Sequence, residues 1–541
     1  MSGPEMVWLG RTEEPQDESA FTADAIGAKA SGVWRMGRLG LETPPAFALP
    51  SALCPEVNAG SAGATERVGQ GLLAGLERLE RSTGRRLGDP REPLLVSVRS
   101  GAAKSMPGMM STVLNVGLNV GAVHGLIRLS GDPRFAWDSY RRFLEGYATI
   151  VLGAPTRPFA ERLAAMIGEE SAADESELDG EALERLAADF ETLVVHLTGH
   201  AIPDHPADQL TQAALAVFRS WEAPKARSYR ELNGLQDLTG AAVTVQAMVF
   251  GNGGARSGAG VAFSRDPSTG EKALYLDFLF DAQGEDVVSG RRTPLDARRF
   301  ATVLPDVFGE LSRGAALLEA DRRDVQDIEF TVQNGELYFL QTRSAQRTPR
   351  ALLRTTVDLV REGVIDCATG LRRLEGTDLR HAGTTRFADQ VEPTACGISA
   401  SPGVASGRVA FDSAEAKSLA ATGESVILVR PEPATEDIEG FAASSGILTA
   451  AGGRTAHAAV VARHLGKACI VGCGDLAMAE GMTSARLAGR PLRRGDWLSL
   501  DGGRGAVTLG RREIVTEPPT AELAEVARWR DSLESSLATE A

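Results

Sequence analysis

The sequence contains few cysteines, and those it has follow no regular pattern. Five are scattered along 541 residues, at Cys54, Cys367, Cys396, Cys469 and Cys473. Their number and spacing fit neither a disulfide framework nor a zinc site. The last two lie four residues apart without a second pair nearby, which favours small core residues over metal ligands. We therefore predict a reduced, cytoplasmic setting.

Long apolar runs and an excess of positive charge are also missing. No segment approaches the roughly 18 consecutive apolar residues of a membrane span. The N-terminal stretch is acidic and lacks an apolar run of the length found in signal peptides. Lysine and arginine number 57 against 72 aspartate and glutamate, for a net charge of −15. Nucleic acids and anionic membranes are bound by basic surfaces, so we predict neither as a partner. A local basic pocket for a nucleotide remains compatible with this charge.

The length predicts three to four domains, and the residue pattern divides the chain at three places. Residues 1–345 mix helical periodicity with short β-rich runs at 94–100, 242–250 and 336–342. Residues 346–395 predict amphipathic linker helices, and residues 396–512 predict short strands between glycine-rich turns. Residues 513–541 predict one further helix after a proline stop.

One histidine lies in an unusual context, in a chain with only seven of them. The stretch GGRTAHAAVVARHLG, Gly452–Gly466, predicts a helix with Thr455 as its N-cap and Gly466 as its stop. His457 then lies in the first turn, where unpaired N–H groups favour a neutral imidazole and stabilise an attached anion. A phosphohistidine is such an anion. A histidine near a helix cap without any chemistry is the alternative.

A phosphohistidine needs a phosphoryl donor, and three stretches upstream suit a nucleotide. Arg99 follows an apolar strand, where its planar fork can pair with phosphate. Residues 251–271 predict a glycine-rich loop between two β-rich runs that would allow close backbone approach to phosphates, although a glycine-rich hairpin is the commoner explanation of such a stretch. Asp327 and Glu329 alternate on a predicted strand, so they share one face and could hold Mg²⁺, unless the strand is a solvent-facing edge.

Residues 430–476 resemble the phosphohistidine domain of the pyruvate phosphate dikinase family. That family has Gly-Gly-x-Thr-Ser-His-Ala-Ala-Val-Val-Ala-Arg, which this chain matches except for Ala456 in place of serine. The resemblance implies that His457 carries the phosphoryl group. It also implies that Thr455 corresponds to the threonine that a regulatory kinase modifies in some of these dikinases.

The first region resembles the ATP-grasp domain of the same family, through DSYRRF, AVFRSW, VQAMVFGN and DAQGEDVVSG. By this resemblance Lys29 and Arg99 contact phosphates, while Asp327 and Glu329 hold Mg²⁺ and ATP. The remaining candidates are Gln341, Arg142 and Arg343 beside the nucleotide, and Gln246 and Met248 on the adenine hinge strand. Ala28, Ser111 and Ala259 depart from the family pattern, which suggests altered nucleotide affinity rather than a dead site.

The resemblance covers about residues 20 to 530 and implies an α/β multidomain fold. Its parts would be an α+β ATP-grasp domain, a helical linker and a swivelling β/β/α phosphohistidine domain. The family's C-terminal barrel for pyruvate and phosphoenolpyruvate has no counterpart in the sequence. The implied reaction turns ATP and inorganic phosphate into AMP and pyrophosphate through phosphorylated His457, with Mg²⁺ as cofactor. The final acceptor would be pyruvate or another molecule on a separate protein.

Two other functions remain open. The phosphohistidine could act directly on a small molecule, as in rifampicin phosphotransferase, although the short linker leaves little room for an acceptor domain. The chain could instead be a non-catalytic ATP-binding phosphocarrier or regulator. The sequence argues against a non-catalytic role, because it retains the residues that correspond to the catalytic positions of the family: Lys29, Arg99, Asp327, Glu329 and His457.

Overall fold

A computed structural model describes residues 5–10, 17–104, 106, 110–289, 294–432, 437–453, 457–479, 481 and 483–540. The chain divides into two compact units. The first comprises Met1–Ala255 with Tyr338–Gln341, and the second comprises Arg256–Leu337 with Thr342–Ala541. The domain boundaries given above are not tested by this division and stay a prediction.

The first unit is built around a mixed-length, five-stranded sheet flanked by helices. Its strands are β1 Val7–Trp8, β2 Ala46–Leu49, β3 Arg86–Leu87, β4 Pro93–Leu94, β5 Val96–Ala102, β6 Thr112–Val116 and β7 Ala241–Ala247. Its helices are α1 Ala23–Arg38, α2 Leu53–Asn58, α3 Ala64–Thr83, α4 Val120–Ser130, α5 Pro133–Ile150, α6 Arg157–Glu169, α7 Gly180–Thr198, α8 Pro206–Arg219 and α9 Pro224–Leu232. The main sheet has the order β1-β2-β7-β5-β6. Every residue of β7 is buried, which explains its nearly continuous apolar sequence.

The second unit begins with a four-stranded sheet and continues into a larger one. Its strands are β8 Gly258–Phe263, β9 Tyr275–Phe280, β10 Gln326–Gln333, β11 Glu336–Ser344, β12 Thr384–Phe387, β13 Ala395–Cys396, β14 Ile398–Ser401, β15 Val404–Ala410, β16 Val426–Arg430, β17 Gly446–Thr449, β18 Ala468–Val471, β19 Leu476–Met478, β20 Ala485–Leu487, β21 Arg490–Leu492, β22 Trp497–Asp501, β23 Ala506–Leu509 and β24 Ile514–Glu517. Its helices are α10 Gly284–Ser289, α11 Ala297–Val303, α12 Pro305–Arg322, α13 Pro349–Arg361, α14 Cys367–Leu374, α15 Ser413–Ala421, α16 Ile438–Ala443, α17 His457–His464 and α18 Thr520–Glu540. Part of β11, Tyr338–Gln341, is counted with the first unit.

The two main sheets of the second unit differ in topology. The smaller sheet has the order β11-β10-β8-β9, and β8 is antiparallel to both of its neighbours. The larger sheet has the order β13-β23-β22-β15-β16-β17-β18-β14, and β15 to β18 run parallel to one another in its centre. We call the larger sheet the carrier sheet. Helices α15, α16 and α17 pack against it. The predicted class, a mixed α/β multidomain fold, is confirmed.

A buried arginine attaches the predicted linker helices to the smaller sheet. Arg265 follows β8, is fully buried, and donates hydrogen bonds to Glu319 on α12 at 2.7 and 2.9 Å. It also donates to Glu362, immediately after α13, at 2.8 Å. Because a buried cation is stable only when it is paired, these carboxylates fix α12 and the end of α13 to the sheet. Helices α13, α14 and α18 then share their own apolar cluster around Trp529.

The glycine-rich stretch 251–271 is only partly a loop. Gly258 and Gly260 belong to β8, where an added Cβ would lie 2.1 Å from the Phe278 ring and 2.3 Å from the Phe330 ring. These two glycines therefore allow aromatic side chains to pack on the strand, and the prediction of a loop across 258–263 was wrong. Cys469 and Cys473 are buried, as predicted for core residues. Within the described ranges, no helix combines the length and apolar character needed to cross a membrane.

Candidate functional site

Three of the predicted nucleotide residues meet in the first unit. Arg99 on β5 donates from Nη1 to Gln246 Oε1 at 3.3 Å and from Nη2 to Gln341 Oε1 at 3.2 Å. Both glutamines are buried, and Gln246 donates its own amide to the carbonyl of Pro44 at 3.3 Å. That bond turns Oε1 of Gln246 towards the arginine. The two amides thus hold the plane of the Arg99 guanidinium in a fixed orientation.

Lys29 lies on α1, close to the same strand. An ideal Cβ built on Gly101 would lie 3.6 Å from Lys29 Cβ, and Gly101 is two residues beyond Arg99. The close approach depends on Gly27, which has a φ of 78° and whose added Cβ would lie 2.2 Å from the Gly101 carbonyl oxygen. Any larger residue at position 27 would push α1 away from β5. The fold therefore places Lys29 beside the strand that carries Arg99.

Met248 and Arg142 lie in different surroundings in this unit. Met248 follows β7, is half-buried, and its backbone N–H donates to the Leu95 carbonyl at 2.9 Å. Arg142 lies on α5, where it donates to Asp138 at 2.9 Å and to Glu175 at 3.2 Å. Burial works against ionisation of Asp138, but Arg141 and Arg142 outweigh it and lower the pKa of that carboxyl. These contacts describe Arg142 as part of an ion-pair network, and its contact with nucleotide stays a prediction.

Two predicted carboxylates share one face of the smaller sheet in the second unit. Asp327 and Glu329 both lie on β10, opposite Phe263 and Val261 of β8. Val261 in turn lies opposite Asp277 of β9. Since directly opposite residues point to the same side of a sheet, Asp277 projects from the face that carries Asp327 and Glu329. We call these three residues the carboxylate face.

Asp277 was not among the predicted residues, although it is almost completely buried, with 1% of its surface exposed. Its signal in the sequence is weak: one acidic residue inside the apolar run YLDFLF. An acidic residue that replaces an apolar one in a buried strand needs a partner, which is a usable clue. Its position relative to Glu329 depends on the pairing of three strands, which the sequence alone does not specify.

The charge around Asp327 is only partly balanced. Arg343 on β11 donates from Nε to Asp327 Oδ2 at 2.8 Å. The other oxygen, Oδ1, is buried and has no hydrogen-bond partner among the described residues. Burial raises the pKa of Asp327 and outweighs the attraction of Arg343, while the charge of Glu329 raises it further. An unsatisfied carboxylate oxygen of this kind needs a cation or a proton.

These residues fit a magnesium ion that also binds substrate. Among the described side chains, no group of three or more histidine, cysteine, aspartate and glutamate residues is close enough to hold a metal alone. Mg²⁺ commonly takes only one or two protein carboxylates, with phosphates and waters as the other ligands. Asp327 and Glu329, with the unsatisfied Oδ1 of Asp327, match that donor set.

The histidine of the sequence motif begins a helix of the carrier sheet. His457 is the first residue of α17, while Thr455 lies outside the described residues. Gly453, four residues before His457, is buried, and an ideal Cβ on it would lie 3.1 Å from Asp277 Oδ2. The same Cβ would lie 2.6 Å from Pro294 Cγ. Gly453 therefore lies directly against Asp277 and Pro294.

Comparison with known proteins finds two domain families that match parts of this chain. Residues 61–305 match the family described as "Pyruvate phosphate dikinase, AMP/ATP-binding domain", and this range contains Arg99, Arg142, Gln246 and Met248. Residues 422–505 match "PEP-utilising enzyme, mobile domain", and this range contains His457. The two matches therefore include candidates from both units.

Curated relatives extend the similarity to almost the whole chain. The chloroplastic pyruvate, phosphate dikinase of Flaveria pringlei is 42% identical over 97% of this chain and 55% of its own length. Pyruvate, phosphate dikinase 2 of Zea mays is 41% identical over 94% of this chain and 58% of its own length. The enzyme of Clostridium symbiosum is 41% identical over 97% of this chain and 60% of its own length. The chain thus spans little more than half the length of these relatives. It carries an AMP/ATP-binding domain and a PEP-utilising mobile domain, and it belongs to the pyruvate phosphate dikinase family.

Proposed function

We propose that the chain is a phosphotransferase that moves a phosphoryl group from ATP to His457. The contact of Gly453 with Asp277 is the observation that carries this proposal. Gly453 precedes His457, the first residue of α17, by four residues, so the start of this helix is close to the carboxylate face. The names of the relatives, all pyruvate, phosphate dikinases, support the same chemistry. The proposed half-reaction consumes ATP and inorganic phosphate and releases AMP and pyrophosphate.

The residues of the first unit would bind the nucleotide. Lys29 and Arg99 supply positive charge to its phosphates, and the fork of Arg99 is held in place by Gln246 and Gln341. Because this orientation exists before ATP arrives, little side-chain order has to be created on binding. Met248 and the end of β7 would contact the base. Arg142 is proposed to act more remotely, given its carboxylate partners.

The residues of the second unit would control charge during transfer. Asp327 and Glu329 would hold Mg²⁺, which neutralises phosphate charge when it is bound. Arg343, bonded to Asp327, would keep that carboxylate oriented. Asp277 lies next to Gly453 and would place a third carboxyl group beside the start of the histidine motif.

The proposed transfer has two steps. A neutral nitrogen of His457 attacks the β-phosphorus of ATP, and the bond from that phosphorus to the α,β-bridging oxygen breaks, so AMP leaves. Inorganic phosphate then attacks the terminal phosphorus of the pyrophosphorylated histidine and leaves as pyrophosphate. His457 retains one phosphoryl group. We propose pyruvate as the first acceptor to test, another small molecule as the second, and Thr455 as a site for a regulatory kinase.

Intact-protein mass spectrometry tests the half-reaction directly. The chain is incubated with Mg²⁺ and ATP, with and without phosphate, and AMP release is measured in parallel. We expect an acid-labile pyrophosphoryl adduct without phosphate and a phosphoryl adduct with it. His457→Ala should abolish both, whereas His464→Ala, in the same helix, should retain both. Equal labelling of the His457→Ala protein would refute the proposal, and ATP binding without AMP release would favour a non-catalytic regulator.

A further inference from the structure

Arg463 is a buried cation on the helix that begins with His457. It lies on α17, six residues after His457, and only 1% of its surface is exposed. Its Nη1 donates to the carbonyl of Ala400 on β14 at 2.8 Å. Its guanidinium carbon lies 5.7 Å from the centre of the Phe263 ring on β8.

These interactions come from two different sheets. Ala400 belongs to the carrier sheet, which also carries α17. Phe263 and Asp327 belong to the smaller sheet, where they lie directly opposite each other on β8 and β10. Burial of a guanidinium costs several kcal/mol unless hydrogen bonds, rings or opposite charges compensate for it. The contact with the Phe263 ring exists only while α17 lies on the smaller sheet.

Other contacts show that Arg463 lies within a continuous interface. The Tyr275 hydroxyl donates to the carbonyl of Ser399, the residue before Ala400, at 3.4 Å. Tyr275 is opposite Phe263 in the sheet, and the two rings are 6.1 Å apart. On the other side of His457 in the sequence, Gly453 lies against Asp277. Contacts with the same face of the smaller sheet thus flank His457 on both sides.

We propose that Arg463 is a positioning residue that holds α17, and His457 with it, against the carboxylate face. Phe263 lies directly opposite Asp327 in the sheet, so the ring that Arg463 contacts belongs to the carboxylate face. The identity of the group transferred rests on the proposed function, but the placement of α17 does not. Arg463 does not itself contact the reacting atoms in this proposal.

A distance measurement tests this placement without reference to activity. Spin labels at Glu271→Cys and Ala421→Cys, two exposed positions on the two sides of the interface, report the distance between them. Cys396→Ser and Cys367→Ser remove the thiols that are not fully buried. We expect one narrow distance distribution for the otherwise unchanged chain. Arg463→Met should shift it to longer, broader distances.

Arg408→Met provides a matched control. Arg408 lies on the same carrier sheet, donates to the Gly495 carbonyl at 2.9 Å and lies over the Trp497 ring at 4.7 Å. Arg408→Met therefore also removes a hydrogen bond to a carbonyl and a contact with a ring, but neither contact involves the smaller sheet. Its distance distribution should stay unchanged. Equal distributions for the Arg463→Met and unchanged chains would overturn the proposal, and so would an equal shift in both arginine variants.

Variants on the opposite side keep the test decisive if Arg463→Met misfolds. Phe263→Leu removes the ring while leaving Arg463 intact, and it should lengthen the distance in the same direction. Arg463→Lys should add less to Phe263→Leu than to the otherwise unchanged chain, because both changes weaken the same contact. A distance unchanged by Phe263→Leu, or effects of Phe263→Leu and Arg463→Lys that simply add, would contradict the proposed role.

Kinetics give a second readout that a purely structural role would not produce. Arg463→Lys should lower kcat for His457 labelling by about five- to 150-fold, the usual range for coupling between sites, without raising KM for ATP. A rise in KM with unchanged kcat would contradict the proposal. His457→Ala should abolish labelling and leave the distance distribution unchanged. Failure of the proposed function would therefore appear in labelling alone, and failure of the positioning role in the distances.

Discussion

Replacement of Gly453 by alanine adds one methyl group at the contact between Gly453 and the carboxylate face. That carbon would lie 2.6 Å from Pro294 Cγ, 2.8 Å from Pro294 Cδ and 3.1 Å from Asp277 Oδ2. Ordinary contacts of this type lie at 3.4–4 Å, so residue 453 has to move away from Pro294 by about 1 Å. The φ of Gly453 is outside the left-handed region, so alanine adds no backbone strain of its own.

The size of the effect follows from this overlap. Forcing an extra methyl group into a packed contact costs about 1–3 kcal/mol. Such a cost corresponds to about a five- to 150-fold change in an equilibrium constant. Because Pro294 and Asp277 lie outside the carrier sheet, the penalty falls on docking rather than on folding of that sheet. We expect the rate of His457 labelling to fall by this factor, with little change in KM for ATP.

Rapid-quench labelling followed by intact-protein mass spectrometry measures that rate, and thermal unfolding measures stability. Gly474→Ala is the matched control, since it lies shortly after the same parallel strands, has no positive φ, and an added Cβ would meet nothing within 4 Å. It should label at the unchanged rate. An unchanged rate for Gly453→Ala, or an equal loss in Gly474→Ala, would refute the argument that this contact positions the carrier.

Three further changes test other parts of the structure. Gln341→Leu removes one of the two amides that orient Arg99, so KM for ATP should rise by about tenfold, the effect of losing one hydrogen bond to a charged group, as measured by steady-state AMP release. Asp138→Asn should destabilise the chain by about 3–5 kcal/mol at neutral pH in urea unfolding, because it leaves two arginines without their buried partner. The pKa of Asp138 is lowered on folding, so this difference should shrink as pH falls below about 4. Arg265→Met should cost about 3–5 kcal/mol in the same assay, because Glu319 loses its buried cation.

Elements defined by local patterns were predictable from the sequence. The alternation of Asp327 and Glu329 indicated a strand, and both lie on β10. Helix α17 begins at the motif histidine and ends two residues before Gly466, whose φ of 64° suits the predicted stop. Such features depend on side-chain periodicity and on glycine conformation within a few residues. The local sequence therefore contained enough information to place them.

Features defined by pairing between distant segments were not predictable in this way. Asp277 joins the carboxylate face only because β8 lies between β9 and β10 in one particular register. Arg142 finds Glu175 from a segment 33 residues further along the chain. Gly258 and Gly260 looked like loop glycines until the aromatic rings that they accommodate were known. In each case the decisive partner is a residue that local periodicity does not identify.

The motif around His457 has a second role that follows from its geometry. Its first half includes Gly453, which contacts Asp277, and its last residue is Arg463, which contacts Phe263. The six residues from His457 to Arg463 span about 9 Å of α-helix, so both contacts lie within a short distance of the histidine. A helix held at one end can still pivot, whereas contacts on both sides of His457 restrict its tilt and its rotation together. The glycine and the arginine of the motif therefore serve docking, and the small tolerance of that docking is the reason that one methyl group at Gly453 should slow the transfer.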